Sequence, residues 1–105
     1  MASIRRVVLD VLKPHDPPMQ RLAQQVADRP AVEADTATLV EIDREVQNVL
    51  LTVEGEDLDV DALEAVVADL GGTVHSIDQV AVGARVVEPG RGAHESRSPS
   101  RPSVD

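Results

Sequence analysis

The period of the apolar residues changes four times along the chain, and this order constrains the fold more than any other feature. Two segments, after Asp16 and at about residues 60–70, repeat apolar residues at helical spacing. The remaining segments are rich in Val, Leu and Ile, which is typical of β-strands, and they cover residues 4–12, 31–42, 46–55 and 73–82. The order is therefore β-α-β-β-α-β.

This order predicts an α+β fold of the ferredoxin-like type, a four-stranded antiparallel sheet with both helices on one face. Right-handed crossovers place the first and third strands at the centre and the fourth strand beside the first. The polar residues Asp43 to Glu45 join the second and third strands as a hairpin.

Alternation along the strands predicts which residues each face carries. In the first strand, Val7, Leu9 and Val11 face the helices. In the second strand, Val32, Ala34, Val40 and Ile42 are expected to share a face. The open face, opposite the helices, is expected to carry Val8, Leu12, Leu39, Val46 and Leu50 among Arg6, Asp10, Glu41 and Asn48. A mixed surface of this kind is typical of an interface.

Helix boundaries follow from capping residues. Asp16 is predicted to cap the first helix, with Pro17 at the first helical position. Asp59 or Asp61 is predicted to cap the second helix, and Gly71-Gly72 to provide a left-handed exit from it. Residues 1–88 are thus one ferredoxin-like domain. Residues 89–105, PGRGAHESRSPSRPSVD, contain nothing that could form a core and are predicted to be a disordered, solubilising tail.

The charge balance predicts which partners are favoured. The 19 acidic and 10 basic side chains give a formal charge of -9. This charge disfavours nucleic acid and anionic membranes and favours cations or basic proteins. No cysteine is present, and no apolar run approaches the ~20 residues that span a bilayer. The chain is therefore expected to be soluble and cytoplasmic.

Two further features of composition concern the core and the solvent. The chain has no Phe, Tyr or Trp, so the core must consist of Val, Leu, Ile and Ala, and base-stacking platforms are excluded. An acidic surface with one lysine favours a halophilic origin, since concentrated salt screens repulsion between like charges. A GC-rich codon bias is the alternative, but it does not explain the acidic excess.

Two terminal motifs resemble a known family. IRRVVLDVLKPH near the start and VHSIDQVAVG near the end are similar to the archaeal domain of unknown function 211 family. The resemblance covers roughly residues 2 to 88. It implies a ferredoxin-like fold and a homo-oligomer, with no established activity.

Pairing of the first and last strands suggests a site for a divalent cation. It brings Asp10, His15, His75 and Asp78 into one region as candidate oxygen and imidazole ligands for calcium, magnesium or zinc. The alternative is that Asp10 pairs with an arginine and the histidines are ordinary loop and edge residues. Lys13, the only lysine, is expected to form a salt bridge.

No catalytic motif is found, so the chain is expected not to be an enzyme. Our first hypothesis is an acidic homo-oligomer, assembled through the open sheet face or the edge strands, that binds a small ligand or divalent cation as a regulatory or structural module. The alternative is a non-enzymatic adaptor whose acidic surface docks a basic protein.

Overall fold

The structure is a computed structural model and describes residues 2–89. It confirms the predicted order and the ferredoxin-like α+β fold. The tail predicted over residues 89–105 lies, from residue 90 onward, outside the described residues. The elements are β1 (Ile4–Pro14), α1 (Met19–Ala27), β2 (Val32–Ile42), β3 (Val46–Gly55), α2 (Val60–Asp69) and β4 (Thr73–Val82).

The four strands form one antiparallel sheet in the order β2-β3-β1-β4. β1 and β3 are central, as the crossover rule predicts. Val7 of β1 lies opposite Val53 of β3 and Val80 of β4, so these three side chains project from the same face. β2 and β4 are the two edges of the sheet.

The core between sheet and helices is entirely aliphatic. Its twelve buried side chains are seven Val and five Leu. Leu22 and Val26 of α1, with Leu63 and Val67 of α2, cover the inner face of the central strands. Burying each of these side chains stabilises the fold by about 1.5–3 kcal/mol, and the contact between these apolar side chains holds the helices against the sheet.

The two helices begin differently. In α2, the Asp59 Oδ1 accepts the N–H of Ala62 at 3.2 Å, as predicted. The predicted cap of α1 is wrong, because α1 begins at Met19 after an extended Pro18 and has no side-chain cap. Pro18 disfavours helical geometry at the preceding residue, so the helix cannot start at Pro17. Gly71, at φ 83°, provides the predicted left-handed exit from α2.

β2 does not keep one alternation, so its predicted faces are wrong. Register shifts occur between Val32 and Ala34 and again between Leu39 and Glu41. Each irregularity reverses the alternation that follows it. Ala34 therefore lies on the open face. Leu39, opposite the buried Val49, lies on the helix face instead of the open face.

The chain turns back after β4. We call residues 83–89 the strap. The Gly83 N–H donates to the Ser3 carbonyl at 2.9 Å, and Glu88 reaches Arg6 on the open face. The Arg6 Nη1 and Nη2 donate to the two Glu88 carboxylate oxygens at 3.0 and 2.9 Å, and Nη2 also lies 2.7 Å from Glu54. This forked contact fixes the strap over one end of the open face.

Within residues 2–89, no helix is long and apolar enough to cross a membrane.

Candidate functional site

One pocket of about 310 Å³ lies on the open face, at the end of the sheet that carries the β2–β3 turn. We call it the open-face pocket. The strands β1, β2, β3 and β4 and the β2–β3 turn all contribute to it. Its lining residues are Asp10, Leu12, Glu41, Ile42, Asp43, Val46, Asn48 and His75.

The central strands fix the Asp10 carboxylate. Asn48 of β3 lies opposite Leu12, so its side chain projects onto the open face beside Asp10. The Asn48 Nδ2 donates to the Asp10 Oδ1 and also to the Val11 carbonyl, the latter at 3.2 Å. The amide therefore holds the carboxylate in one orientation at the floor of the pocket.

The β2–β3 turn fixes a second carboxylate, Asp43. Its Oδ1 accepts the N–H groups of Glu45 and Val46 at 2.9 and 2.8 Å. These two backbone donors, with a smaller contribution from the His15 ring, hold the pKa of Asp43 below its ordinary value of 3.8. Asp43 is therefore ionised at neutral pH.

His75 enters the pocket at an irregularity in β4. Ser76 lies opposite Asp10 and Val74 lies opposite Val11, so His75 is the extra residue between two paired ones. Such a bulge redirects a side chain that would otherwise alternate with its neighbours. As a result, His75 lines the same pocket as Asp10.

The four predicted ligands are not all brought together. Asp10 and His75 share the pocket. The His15 Nε2 instead lies 2.7 Å from the Asp43 carbonyl oxygen, and Asp78 accepts the Ser76 hydroxyl at 2.6 Å. Among residues 2–89, no group of three or more His, Asp or Glu residues is close enough to hold a metal ion.

The predicted alternative, an arginine partner for Asp10, is not found either. The Asp10 carboxylate is paired with the Asn48 amide, whereas the salt bridges of the described residues join Arg6 to Glu54 and Glu88. Asn48, Glu41 and Asp43 were not among the predicted site residues. The hairpin register was the signal that could have identified them, since it places Glu41 opposite Asn48.

Lys13 does not form the predicted salt bridge. It faces the helix side of β1, is only 2% exposed, and donates to the Pro14 carbonyl at 2.6 Å and to the Gln47 Oε1 at 3.0 Å. Burial lowers the pKa of Lys13 from its ordinary value, and the nearby charge of Asp16 opposes this effect. Its partners are therefore neutral oxygen atoms, and Lys13 does not line the pocket.

Together, the strand order and the pocket define an α+β protein of the ferredoxin-like type, with several carboxylates on its uncovered sheet face. The chain belongs to the DUF211 family, described as uncharacterized ArCR, whose model matches residues 5–96. The match extends beyond residue 88, where the resemblance was expected to end, and its last residues lie outside the described part of the chain.

One relative is the uncharacterized protein MJ0319 of Methanocaldococcus jannaschii. It is 42% identical over 88 residues, which cover 84% of this chain and 91% of the relative. Neither the family description nor the name of this relative states an activity.

Proposed function

We propose that the protein is a non-enzymatic, self-associating module that binds a divalent cation or a small cationic ligand in the open-face pocket. One observation carries this proposal. The carboxylates of Asp10, Glu41 and Asp43 line the same pocket as His75 and Asn48, in a chain whose formal charge is -9.

The residues of the pocket favour a hard cation. Carboxylate and amide oxygens are the ligands that calcium and magnesium prefer, and a histidine adds affinity for zinc. The described residues contain no preformed group of three such ligands, so binding requires either a small rearrangement or a contribution from a second subunit.

The cation proposal is tested by thermal unfolding in calcium, magnesium or zinc chloride. We expect at least one ion to raise the melting temperature, because an ion that binds only the folded chain stabilises it by mass action. Asp10→Asn and Glu41→Gln should each reduce the shift. Asp78→Asn is the matched control, since Asp78 contacts Ser76 instead of lining the pocket. An unchanged melting temperature at saturating concentrations of all three ions would refute the proposal.

The β4 edge supports the proposal of self-association. Ile77 and Val80 lie opposite the buried Leu9 and Val7, so they face the helix side, yet each is 48% exposed. An edge strand also presents unpaired backbone groups that a second copy can bind. The open face is less favourable for this purpose, because Val8 and Leu12 are already half-buried and the strap covers one end of it.

Light scattering at high salt tests self-association, with a mass several times 11.2 kDa expected. The double variant Ile77→Lys and Val80→Lys should lower the mass. Thr38→Lys is the control, since Thr38 is exposed on the open face opposite Leu50. A wild-type mass of one chain contradicts the proposal. Loss of assembly in Thr38→Lys alone would instead assign the interface to the open face.

The acidic loop between β3 and α2 favours the second candidate function, an adaptor for a basic protein. Glu33, Glu56 and Asp57 line one surface hollow, and Asp57, Asp59 and Asp61 line another. Clustered carboxylates of this kind attract basic surfaces. A basic protein that is captured in native salt by the wild type, but not by Glu56→Gln with Asp57→Asn, would support the adaptor.

A further inference from the structure

We propose that the ligand of the open-face pocket is an aliphatic diamine or polyamine, a flexible methylene chain with a primary ammonium group at each end. This inference rests on the proposed function for the identity of the pocket, and it names the class of ligand. Three features of the pocket carry it: the spacing of its carboxylates, the aliphatic side chains beside them, and their lack of a salt-bridge partner within the described residues.

The three carboxylates of the pocket are spread along it instead of converging on one point. Glu41 lies opposite Asn48, and Asn48 lies opposite Leu12, so two strand spacings separate Glu41 from Leu12. Asp10 is two residues from Leu12 along β1. With strands about 4.8 Å apart and residues about 3.3 Å apart, the Cα atoms of Asp10 and Glu41 are roughly 12 Å apart. Asp43 lies two residues beyond Glu41, farther still from Asp10.

This spacing suits two separate positive charges better than one metal ion. Calcium binds its oxygen ligands at about 2.3–2.6 Å, so these ligands must surround a single point. Among residues 2–89, no group of three His, Asp or Glu residues meets this requirement. The methylene chain of a diamine holds its two ammonium groups apart, so each pairs with a different carboxylate while the strands keep their register.

Aliphatic side chains accompany the carboxylates. Leu12, Ile42 and Val46 line the same pocket as Asp10 and Asp43. They offer an apolar surface to the methylene chain, and each methylene group that is fully buried increases the affinity by about fourfold. A hydrated metal ion gains nothing from these side chains. The volume of about 310 Å³ lies at the lower end of the range of small-molecule pockets, about 300–1,000 Å³.

The carboxylates offer charge and acceptor atoms to a ligand. Within residues 2–89, the salt bridges involve none of the three carboxylates of the pocket. Asp10 and Asp43 are each oriented through Oδ1, by the Asn48 amide and by the backbone of the turn, which leaves the Oδ2 atoms to accept from a ligand. A primary ammonium group donates up to three hydrogen bonds. No aromatic side chain is present to bind a quaternary ammonium group instead.

Calorimetric titration of the full-length chain at low salt tests the ligand class with three probes. Putrescine has two ammonium groups on a methylene chain, butylamine has an equally long chain with one ammonium group, and magnesium has the charge of putrescine without a chain. We expect putrescine to bind at least about tenfold more tightly than either other probe, because it alone combines both charges with the apolar contact. Absence of putrescine binding, or equal affinity for magnesium or butylamine, overturns the proposal.

A putrescine analogue in which both nitrogen atoms are fully methylated is the control for hydrogen bonding. It keeps both charges and the methylene chain but has no N–H donor. We expect it to bind roughly tenfold more weakly than putrescine, because hydrogen bonds between charged groups are strong. An affinity equal to that of putrescine overturns recognition of a primary ammonium group.

Substitutions separate the pocket from the overall charge of the chain. Asp10→Asn and Asp43→Asn keep the shape of each side chain and its Oδ1 acceptor, and each should weaken putrescine binding severalfold. Glu64→Gln is the matched control, since it removes one exposed carboxylate from α2. If this control weakens putrescine binding as much, the attraction comes from the formal charge of -9 as a whole and the proposal is overturned.

Ile42→Thr tests the apolar contact without changing the charge. Ile42 is 52% exposed, so the substitution leaves the buried core intact. We expect the affinity for putrescine to fall by about two- to fourfold, while the affinity for magnesium stays the same. An unchanged affinity for putrescine, or an equal loss for both probes, contradicts a contact with the methylene chain.

The titrations also distinguish failure of this inference from failure of the proposed function. Binding of calcium, magnesium or zinc without binding of putrescine overturns this inference and leaves the proposed function in place. Binding of putrescine alone supports this inference and excludes the metal ions. Binding of none of these cations refutes both.

Discussion

Asp35 places a carboxylate on the helix-covered face of β2, opposite the buried Val53. Its Oδ2 is buried and has no hydrogen-bond partner. Burial raises the pKa of Asp35 above its ordinary value of 3.8, because the charged form loses hydration. The folded state therefore binds the carboxyl proton of Asp35 more tightly than the unfolded state does. The stability that this proton binding provides is lost as the pH rises through the raised pKa.

Replacing Asp35 by Asn should therefore stabilise the protein at pH 7. We expect the free energy of unfolding to increase by about 1 kcal/mol, because the amide has the shape of the carboxylate but no charge to desolvate, and because the side chain is only half-buried. The gain should shrink towards pH 4, where the wild-type carboxyl is increasingly protonated. Urea unfolding followed by circular dichroism measures this gain. Glu33→Gln, at an exposed position of the same strand, should show no such gain.

Lys13 should make the free energy of unfolding change with pH in the opposite direction. Its pKa is lowered in the folded state, so the unfolded chain binds the proton more tightly, and stability rises with pH between the lowered pKa and the ordinary 10.5. In Lys13→Met we expect this rise to disappear. Urea unfolding from pH 7 to pH 10.5 compares the slopes of the two proteins. A variant that retains the wild-type slope would assign the rise to another group.

Among the elements, β1 and α2 were predictable from sequence, whereas β2 and the start of α1 were not. In β1 the alternation of Val7, Leu9 and Val11 runs without interruption, so sequence spacing gives the correct faces. In β2 the register shifts depend on pairing with β3, and the spacing of residues in the sequence does not predict them. Leu39 was therefore assigned to the wrong face.

The candidate site was predictable only where strand order decides it. The antiparallel pairing of β1 and β4 brings His75 near Asp10, as expected. The remaining charged side chains, Glu41 and Asp43, belong to the β2–β3 hairpin. Their positions depend on the conformation of its turn. From its place between two strands, Asp43 was predicted only to connect them, although the turn orients its carboxylate by two backbone hydrogen bonds.

The strap is an element that depends on one ion pair. Arg6 lowers the pKa of Glu88, so the contact is present at neutral pH and is lost as the pH falls through that lowered value. We expect Glu88→Gln to increase hydrogen exchange at the Gly83 amide, which donates to the Ser3 carbonyl, and to leave exchange in α2 unchanged. Glu56→Gln, an exposed carboxylate away from Arg6, is the control. Unchanged exchange in the strap would show that the ion pair does not hold it.

At the scale of the whole molecule, the charge of -9 acts against compaction. We expect potassium chloride to raise the melting temperature between 0.1 and 2 M, since salt screens the repulsion. Glu64→Gln with Asp69→Asn removes two exposed charges from α2 and should reduce the increment. A melting temperature that falls with salt in both proteins contradicts this electrostatic account.

The buried core consists of valine and leucine side chains, and none of these fluoresces. With no aromatic side chain in 105 residues, the protein has no intrinsic fluorescence that could obscure an introduced reporter. A single tryptophan at the half-buried Leu12 would be the sole emitter, positioned in the wall of the pocket. Every change in its emission would then originate at that wall, so ligand entry could be followed in real time without any external dye.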